Sequence, residues 1–301
     1  MAERTRPFWV LFLLVVVVLV AGGVGGGWLY YHNHPTPGGG PRVVGLGDNV
    51  SVDYVGMFGS GPETGRVFDT SIQSIANNNL TWPKSLEYSY RNSSDFTPLG
   101  VHVGPGGGYT LNNTTYGSVV PGFWQGLLGL AGNQSRWVTI PPALGYGAIN
   151  QSCLVSAPLV AKVPQLIAVP YANFSAQYPG VERGPGNMFV DPTYGWTDLV
   201  FSSNDSAVTI EQLPTVGFTS NAPGWPITVT AVSGGNITIS NGVSSANVGL
   251  LLGHSSQPVC SRTAFIISAV DPANGTFIEN FNTEVTGQTL IFRVTVVDIF
   301  A

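Results

Sequence analysis

The chain has 301 residues, 44% of them hydrophobic, with 11 basic and 16 acidic side chains and a formal net charge of −5. Only 9% of the residues are charged, against about 25% in ordinary soluble proteins. No basic cluster is present to neutralise phosphates, which argues against a nucleic-acid partner, and the length admits one large domain or two smaller ones.

Phe8 to Ala21 is an unbroken apolar run, and the uncharged stretch extends to Tyr31, 24 residues in all. At about 1.5 Å per residue, that length crosses the hydrocarbon core of a bilayer. Arg4 and Arg6 precede the run, while Trp28, Tyr30 and Tyr31 close it. Basic residues favour the cytoplasmic side and aromatic rings the headgroup level. The expectation is a cytoplasmic tail at 1–7 and a single-pass anchor at 8–31, with the bulk of the protein outside the cell. The alternative, a cleaved signal peptide, leads to the same compartment with a secreted product. Residues 32–42 read as a Pro/Gly linker, and His32 and His34 lack the further ligands that a metal site needs.

Three features fit an exterior location. Eleven N-x-S/T sequons begin at Asn49, Asn79, Asn92, Asn112, Asn113, Asn133, Asn150, Asn173, Asn204, Asn236 and Asn274, which suits a glycoprotein. Cys153 and Cys260 are the two cysteines; in an oxidising compartment they are candidates for a disulfide, with two unpaired thiols as the alternative. Beyond Arg6 the chain holds 9 basic and 15 acidic residues. A surface so poor in carboxylates changes its charge little on acidification, which points to an acidic exterior. A fold that collapses between neutral pH and about pH 3 would contradict this.

From Val43 onward the patterns are those of strands and turns. "NVSVDYVGMF" alternates, with Val50, Val52 and Tyr54 on one face and Ser51 and Asp53 on the other. "WVTIPP" does the same through Val138 and Ile140, and "LIFRVTVVDI" through Leu290, Phe292, Val294 and Val296. "PGFWQGLLGL" at 121–130 predicts a helix, with Pro121 in its first turn and Phe123, Leu127, Leu128 and Leu130 as its apolar stripe. Gly126 and Gly129 weaken it by up to about 1 kcal/mol each, so it needs a sheet to pack on. The long segment 148–283 is rich in Pro, Ser and Asn. Its look-alike stretches 227–241 and 265–280 each read as a β-hairpin, which predicts an all-β insertion.

Taken in order, "GDNVSVDYVGMF" (47–58), "GRVFDTS" (65–71), "PLGVHVG" (98–104), "VVPGFWQGLLGLAG" (119–132), "WVTIPPALGYG" (137–147) and "GQTLIFRVTVVDI" (287–299) resemble the FKBP-type peptidyl-prolyl cis-trans isomerases. The resemblance implies an α+β fold, a curved antiparallel β-sheet wrapped on one short α-helix, over 43–147 plus 284–301. It places Tyr54, Phe68, Asp69, Phe123, Tyr146 and Phe292 in a catalytic pocket, with Leu99, Val101, Val119 and Val120 as further substrate-binding residues. Phe123 is then the floor beneath the prolyl ring, and Phe68 and Phe292 are walls. The Val120 N–H and the Tyr146 hydroxyl hold substrate carbonyls, and Asp69 orients Tyr54 or the pocket dipole. Read without the resemblance, the same apolar residues are core and the two tyrosines are buried hydroxyls with partners.

The chemistry needs no metal and no cofactor. The X-Pro barrier of about 18–20 kcal/mol comes from lost amide resonance, and the planar amide is more dipolar than the twisted one, so a dry apolar pocket favours the twisted state. Leu99 and Val101 stand where many relatives carry aromatics, and sequon-bearing insertions at 72–97 and 105–117 border the expected pocket. The segment 148–283 occupies the place of the insert-in-flap chaperone domain of SlyD-type and archaeal relatives, which "KVPQLIAVP" and "WPITVTAVSGGNITIS" faintly resemble. The implied partners are unfolded or proline-containing protein clients. A non-catalytic proline-peptide-binding or adhesive surface module is the competing reading, and the oligomeric state is open.

Overall fold

Alternation in Asn49–Phe58 produces the central strand β1, whose Val50, Val52 and Tyr54 enter the core while Ser51 and Asp53 stay half-buried. The remaining main strands are β2 (Val67–Thr70), β3 (Leu99–His102), β4 (Ser135–Ile140) and β5 (Leu290–Phe300). In this computed structural model, which describes residues 41–106, 108–111 and 114–300, they form one antiparallel sheet in the order β2-β1-β5-β4. Strand β3 shares the outer edge of β1 with β2, pairing along Asn49–Val52 while β2 pairs along Val55–Met57. Bulges at Ser51/Val52 and Gly56/Met57 add bend and twist. The expected tail, anchor and most of the linker, with the sequons at Asn112 and Asn113, lie outside the described residues. Among the described residues no helix is long and apolar enough to cross a membrane.

The helix on this sheet is Pro121–Leu127, three residues shorter than its apolar stripe predicts. Leu128 is already extended, and Gly129 takes φ +76° and donates its N–H to Val44 O at 2.9 Å. Leu130 is nevertheless buried with Phe123 and Leu127 in the main core. A Cβ on Gly122 would meet Ile140 Cγ2 at 2.6 Å, and one on Gly126 would meet Val138 Cγ2 at 2.5 Å. The glycines that weaken the helix therefore let it lie directly on β4.

The insertion at 72–97 is packed structure. Ile75 and Ala76 of the short helix Gln73–Ala76 are buried with Val55, Val67 and Tyr88 on the opposite face of the sheet. The buried Lys84 Nζ donates to Ile75 O, Asn78 O and Trp82 O, closing this segment from inside. Within 105–117 the strands Tyr109–Leu111 and Thr114–Tyr116 pair as a hairpin. The sequon asparagine Asn49 is buried, with its Oδ1 2.9 Å from His102 Nδ1, so this member of the sequon set is sealed inside the sheet.

The described chain divides into two compact units, one drawn from Met1–Ala148 and Val285–Ala301, the other Ile149–Glu284. The second unit is not purely β, since Tyr171–Gln177 is helical and buries Phe174. Its strands follow a three-fold internal repeat. Leu154–Pro158, Val160–Pro164 and Leu166–Pro170 succeed one another at a spacing of six residues, and each joins a different four-stranded sheet. They pair respectively with the hairpins Arg262–Asp271/Thr276–Asn280, Ile227–Ser233/Asn236–Asn241 and Thr197–Ser203/Ala207–Gln212.

The registers superpose residue for residue. Val200, Val229 and Ile267 are equivalent, and each accepts a backbone N–H from a glycine, Gly186, Gly217 or Gly249, with positive φ. Trp196 Nε1 donates to Gln212 Oε1 and Trp225 Nε1 to the equivalent Asn241 Oδ1, both at 3.1 Å. Cys153 and Cys260 are joined as a disulfide, tying the start of the first of these strands to the turn before Arg262.

Candidate active site

Four aromatic rings meet where β1, β2, β5 and the helix converge. Tyr54 comes from β1, Phe68 from β2, Phe292 from β5 and Phe123 from the first turn of the helix. Phe292 is the hub, with its centroid 5.0 Å from Phe123 at 90°, 5.4 Å from Phe68 at 86° and 6.2 Å from Tyr54. Tyr54 and Phe123 also meet edge to face at 5.9 Å. Such edge-to-face pairs each add about 0.5–1.5 kcal/mol beyond burial. Gly56, paired with Phe292 on β5, leaves room for this packing: a Cβ there would lie 2.6 Å from Phe68 Cζ and 2.8 Å from Phe292 Cε1.

The residues named from the sequence separate into two depths. Tyr54, Phe123, Phe292 and Val101 are buried, while Phe68, Leu99, Val119, Val120 and Tyr146 are half-buried and pack against the same core. Val101 is wholly buried. Leu99, Val119, Val120 and Tyr146 keep part of their apolar surface exposed while packing on the core that holds the aromatic rings.

The polar groups lie at the Phe68 end. The Tyr54 hydroxyl donates to Asp69 Oδ2 at 2.5 Å, and Asp69 Oδ1 accepts from Thr70 N at 2.8 Å and from Arg91 Nη2 at 2.8 Å. Arg91 also donates to Thr70 O and lies over the Phe96 ring. Burial raises the Asp69 carboxyl above its ordinary range, opposed by the Tyr54 hydrogen bond, the Arg91 charge and the Thr70 N–H. Burial, and then the Asp69 charge, pushes the Tyr54 hydroxyl well up. Arg91 sits in the 72–97 insertion and is absent from the residues named from the sequence. Its signal was scarcity: Lys84 and Arg91 are the only basic residues in that segment.

Two donors remain free. The Val120 N–H, at the cap of the helix, and the Tyr146 hydroxyl have no hydrogen-bond partner among the described residues. Tyr146 is held by its backbone: Ile140 ends β4, the turn Pro142–Leu144 follows, and Gly147 N donates to Pro142 O at 2.8 Å. Gly147 takes φ +80°, and its carbonyl accepts from Gly287 N at 2.8 Å. Burial and the Asp69 charge push the Tyr146 hydroxyl up to about 12. The site thus combines aromatic walls, two unpaired donors and a carboxylate neutralised by its own arginine.

No protein-family model matches the chain. Over 117 residues, 39% of its length, the chain is 30% identical to a short-type peptidyl-prolyl cis-trans isomerase of Methanocaldococcus jannaschii. Over 101 residues, 34% of its length, it is 33% identical to FK506-binding protein 2 of Yarrowia lipolytica. The matches span 59% and 45% of those two curated relatives, respectively. Both likenesses support an FKBP-type family for the matched part of the chain.

Proposed function

We propose that the chain is a peptidyl-prolyl cis-trans isomerase acting on X-Pro bonds of extracytoplasmic proteins. The observation that carries this reading is the convergence of Phe68, Phe123, Phe292 and Tyr54 beneath the unpaired Val120 N–H and Tyr146 hydroxyl. In the proposed complex the prolyl ring rests over Phe123, and the two free donors hold substrate carbonyls. The reacting amide then leaves water for an apolar surround, where the less dipolar twisted state is favoured over the planar one. Asp69, fixed by Tyr54 and Arg91, directs its dipole at the turning carbonyl.

The location reading rests on the apolar run at 8–31, the sequons and the disulfide, and makes the protein membrane-anchored with this site outside. For the second unit the reading is capture of unfolded clients. It is supported by an apolar outer face on the sheet of the Thr197–Ser203/Ala207–Gln212 hairpin, where Met188, Leu199 and Leu166 stand in one cross-strand row with Glu211. Met188 and Val190 on its edge strand are exposed, and an extended peptide can add to such an edge. The competing reading, a binding module without turnover, keeps the same pocket.

A protease-coupled prolyl-peptide assay on the full chain separates the two, with Tyr146→Phe and Asp69→Ala as comparisons. Turnover that both substitutions reduce supports the isomerase. Turnover no faster than that of the double variant would sink it.

A further inference from the structure

The internal repeat exposes one position where the second unit breaks its own rule. The register that equates Val200, Val229 and Ile267 also equates Asp198 with Ile227 and Phe265, both buried core residues. Asp198 is equally inaccessible, at 0% exposure. Neither of its carboxyl oxygens accepts a hydrogen bond from any described group. The nearby Trp196 Nε1–H is committed to Gln212 Oε1. Asp191 follows Phe189, the strand partner of Asp198, by two residues, which puts the two acids on one face of the strand pair, where the Asp191 charge acts on Asp198. Asp191 is itself buried and accepts from Thr193 N at 2.8 Å and Tyr194 N at 2.6 Å.

Two buried carboxyls in contact need either a cation or a proton between them. A hard divalent cation takes about six to eight oxygen ligands. Here Asp191 is already engaged by two N–H groups, and no third acidic or histidine side chain completes a ligand cluster among the described residues. The two N–H donors favour the anion on Asp191, which leaves the proton to Asp198. We propose that Asp198 and Asp191 form a carboxylic acid–carboxylate pair, whose single shared proton locks the first repeat of the second unit and is released as the surroundings turn alkaline.

The position gives that proton leverage. Asp191 ends the strand Met188–Val190 and starts the turn that carries Tyr194 and Trp196, stacked at 4.3 Å, into the larger apolar cluster. Asp198 lies beside Val200, in the strand that buries Val200 with Phe174 and Tyr178 in the smaller cluster. The pair therefore sits where the two clusters meet. The titratable groups facing it are Tyr194 from the turn, driven up by burial and the Asp191 charge, and Tyr178 after the helix, driven up by burial and by both carboxyls. His254 borders the same cavity as Tyr178 and Thr193. No lysine or arginine among the described residues pairs with either acid.

Burial, then the Asp191 charge, raises the Asp198 carboxyl far above its ordinary range. With the folded value above the unfolded one, the stabilisation is complete below about pH 4 and is lost as pH rises through the folded value. Loss of the O–H proton to solvent leaves two anions in contact with no counter-ion.

Hydrogen-exchange mass spectrometry on the full chain, corrected for intrinsic exchange rates, reads opening of residues 188–212 from about pH 5 to about pH 9. The expected opening constant rises by up to about tenfold per pH unit. Asp198→Asn, whose amide donates to Asp191 without a titrating proton, is expected to flatten that slope. A flat wild-type profile, or an unchanged slope in the variant, overturns the proposal. So does closing of the segment by added calcium at alkaline pH, which would assign a cation instead. Should the variant not fold, infrared spectroscopy of the unsubstituted chain decides: a protonated-carboxyl band present at about pH 6 and lost by about pH 9 is expected, and its absence at about pH 6 is contrary.

Discussion

Arg91 Nη2 and the Tyr54 hydroxyl grip opposite oxygens of Asp69, at 2.8 Å and 2.5 Å. One donor comes from the central strand and the other from an insertion more than thirty residues further along the chain. Because Arg91 holds the Asp69 carboxyl down against its burial, Arg91→Ala is expected to raise that carboxyl further. The acid limb of a pH–rate profile should then move to higher pH, with kcat/KM down by about tenfold, or about 1.4 kcal/mol. Stability should fall by only about 1 kcal/mol, since the pair is partly solvent-screened. An unmoved acid limb would leave Arg91 a merely structural residue.

Gly56→Ala is expected to damage the site without touching a polar group. Its Cβ would fall within 2.8 Å of both Phe68 and Phe292, and neither ring can retreat without disturbing the aromatic cluster. Overpacking of this kind costs about 1–3 kcal/mol. Urea unfolding should show that loss together with weaker binding of a proline peptide.

At Gly126 two effects compete. Alanine gains about 1 kcal/mol of helix propensity, yet its Cβ would meet Val138 Cγ2 at 2.5 Å and Cγ1 at 2.6 Å. Valine is stiff at χ1 and cannot swing both methyls away, so the clash outweighs the gain and Gly126→Ala destabilises. Adding Val138→Ala relieves the clash, and the double variant should recover part of the loss in the same unfolding measurement.

Tyr146→Phe removes a donor and little packing. Because the hydroxyl is pushed up to about 12, it remains protonated through the range in which most assays run. The unsubstituted chain should therefore show no loss of turnover attributable to Tyr146 between about pH 7 and about pH 10. The variant should show a several-fold loss in kcat/KM, about 1 kcal/mol, at every pH in that range.

Strand alternation at 49–58 and 290–299 was legible because a sheet with one buried face imposes a period of two on its residues. The two later hairpins of the second unit were legible for the same reason, with Gly-containing turns to mark them. The first was not. Asp198 breaks its apolar pattern where Ile227 and Phe265 keep theirs, and its turn runs through Asn204–Ser206 without glycine. The six-residue spacing of Pro158, Pro164 and Pro170 acquires meaning only when each short strand is seen to join a separate sheet. At the site, the aromatic residues could be named from their order along the chain, but their depths could not. Val101 reads like Leu99 in sequence, yet one is sealed in the core and the other half-buried. Arg91 carries no local pattern at all, because its partner lies across the fold.

The most direct test is magnetisation exchange by NMR between the cis and trans forms of an X-Pro peptide, with the full chain present in catalytic amounts. Free in solution such bonds interconvert over tens to hundreds of seconds. The isomerase reading predicts exchange on the scale of seconds or faster, slowed by Tyr146→Phe and Asp69→Ala. Peptide resonances that shift on binding while the exchange rate stays at its uncatalysed value would contradict it and leave a binding module in its place.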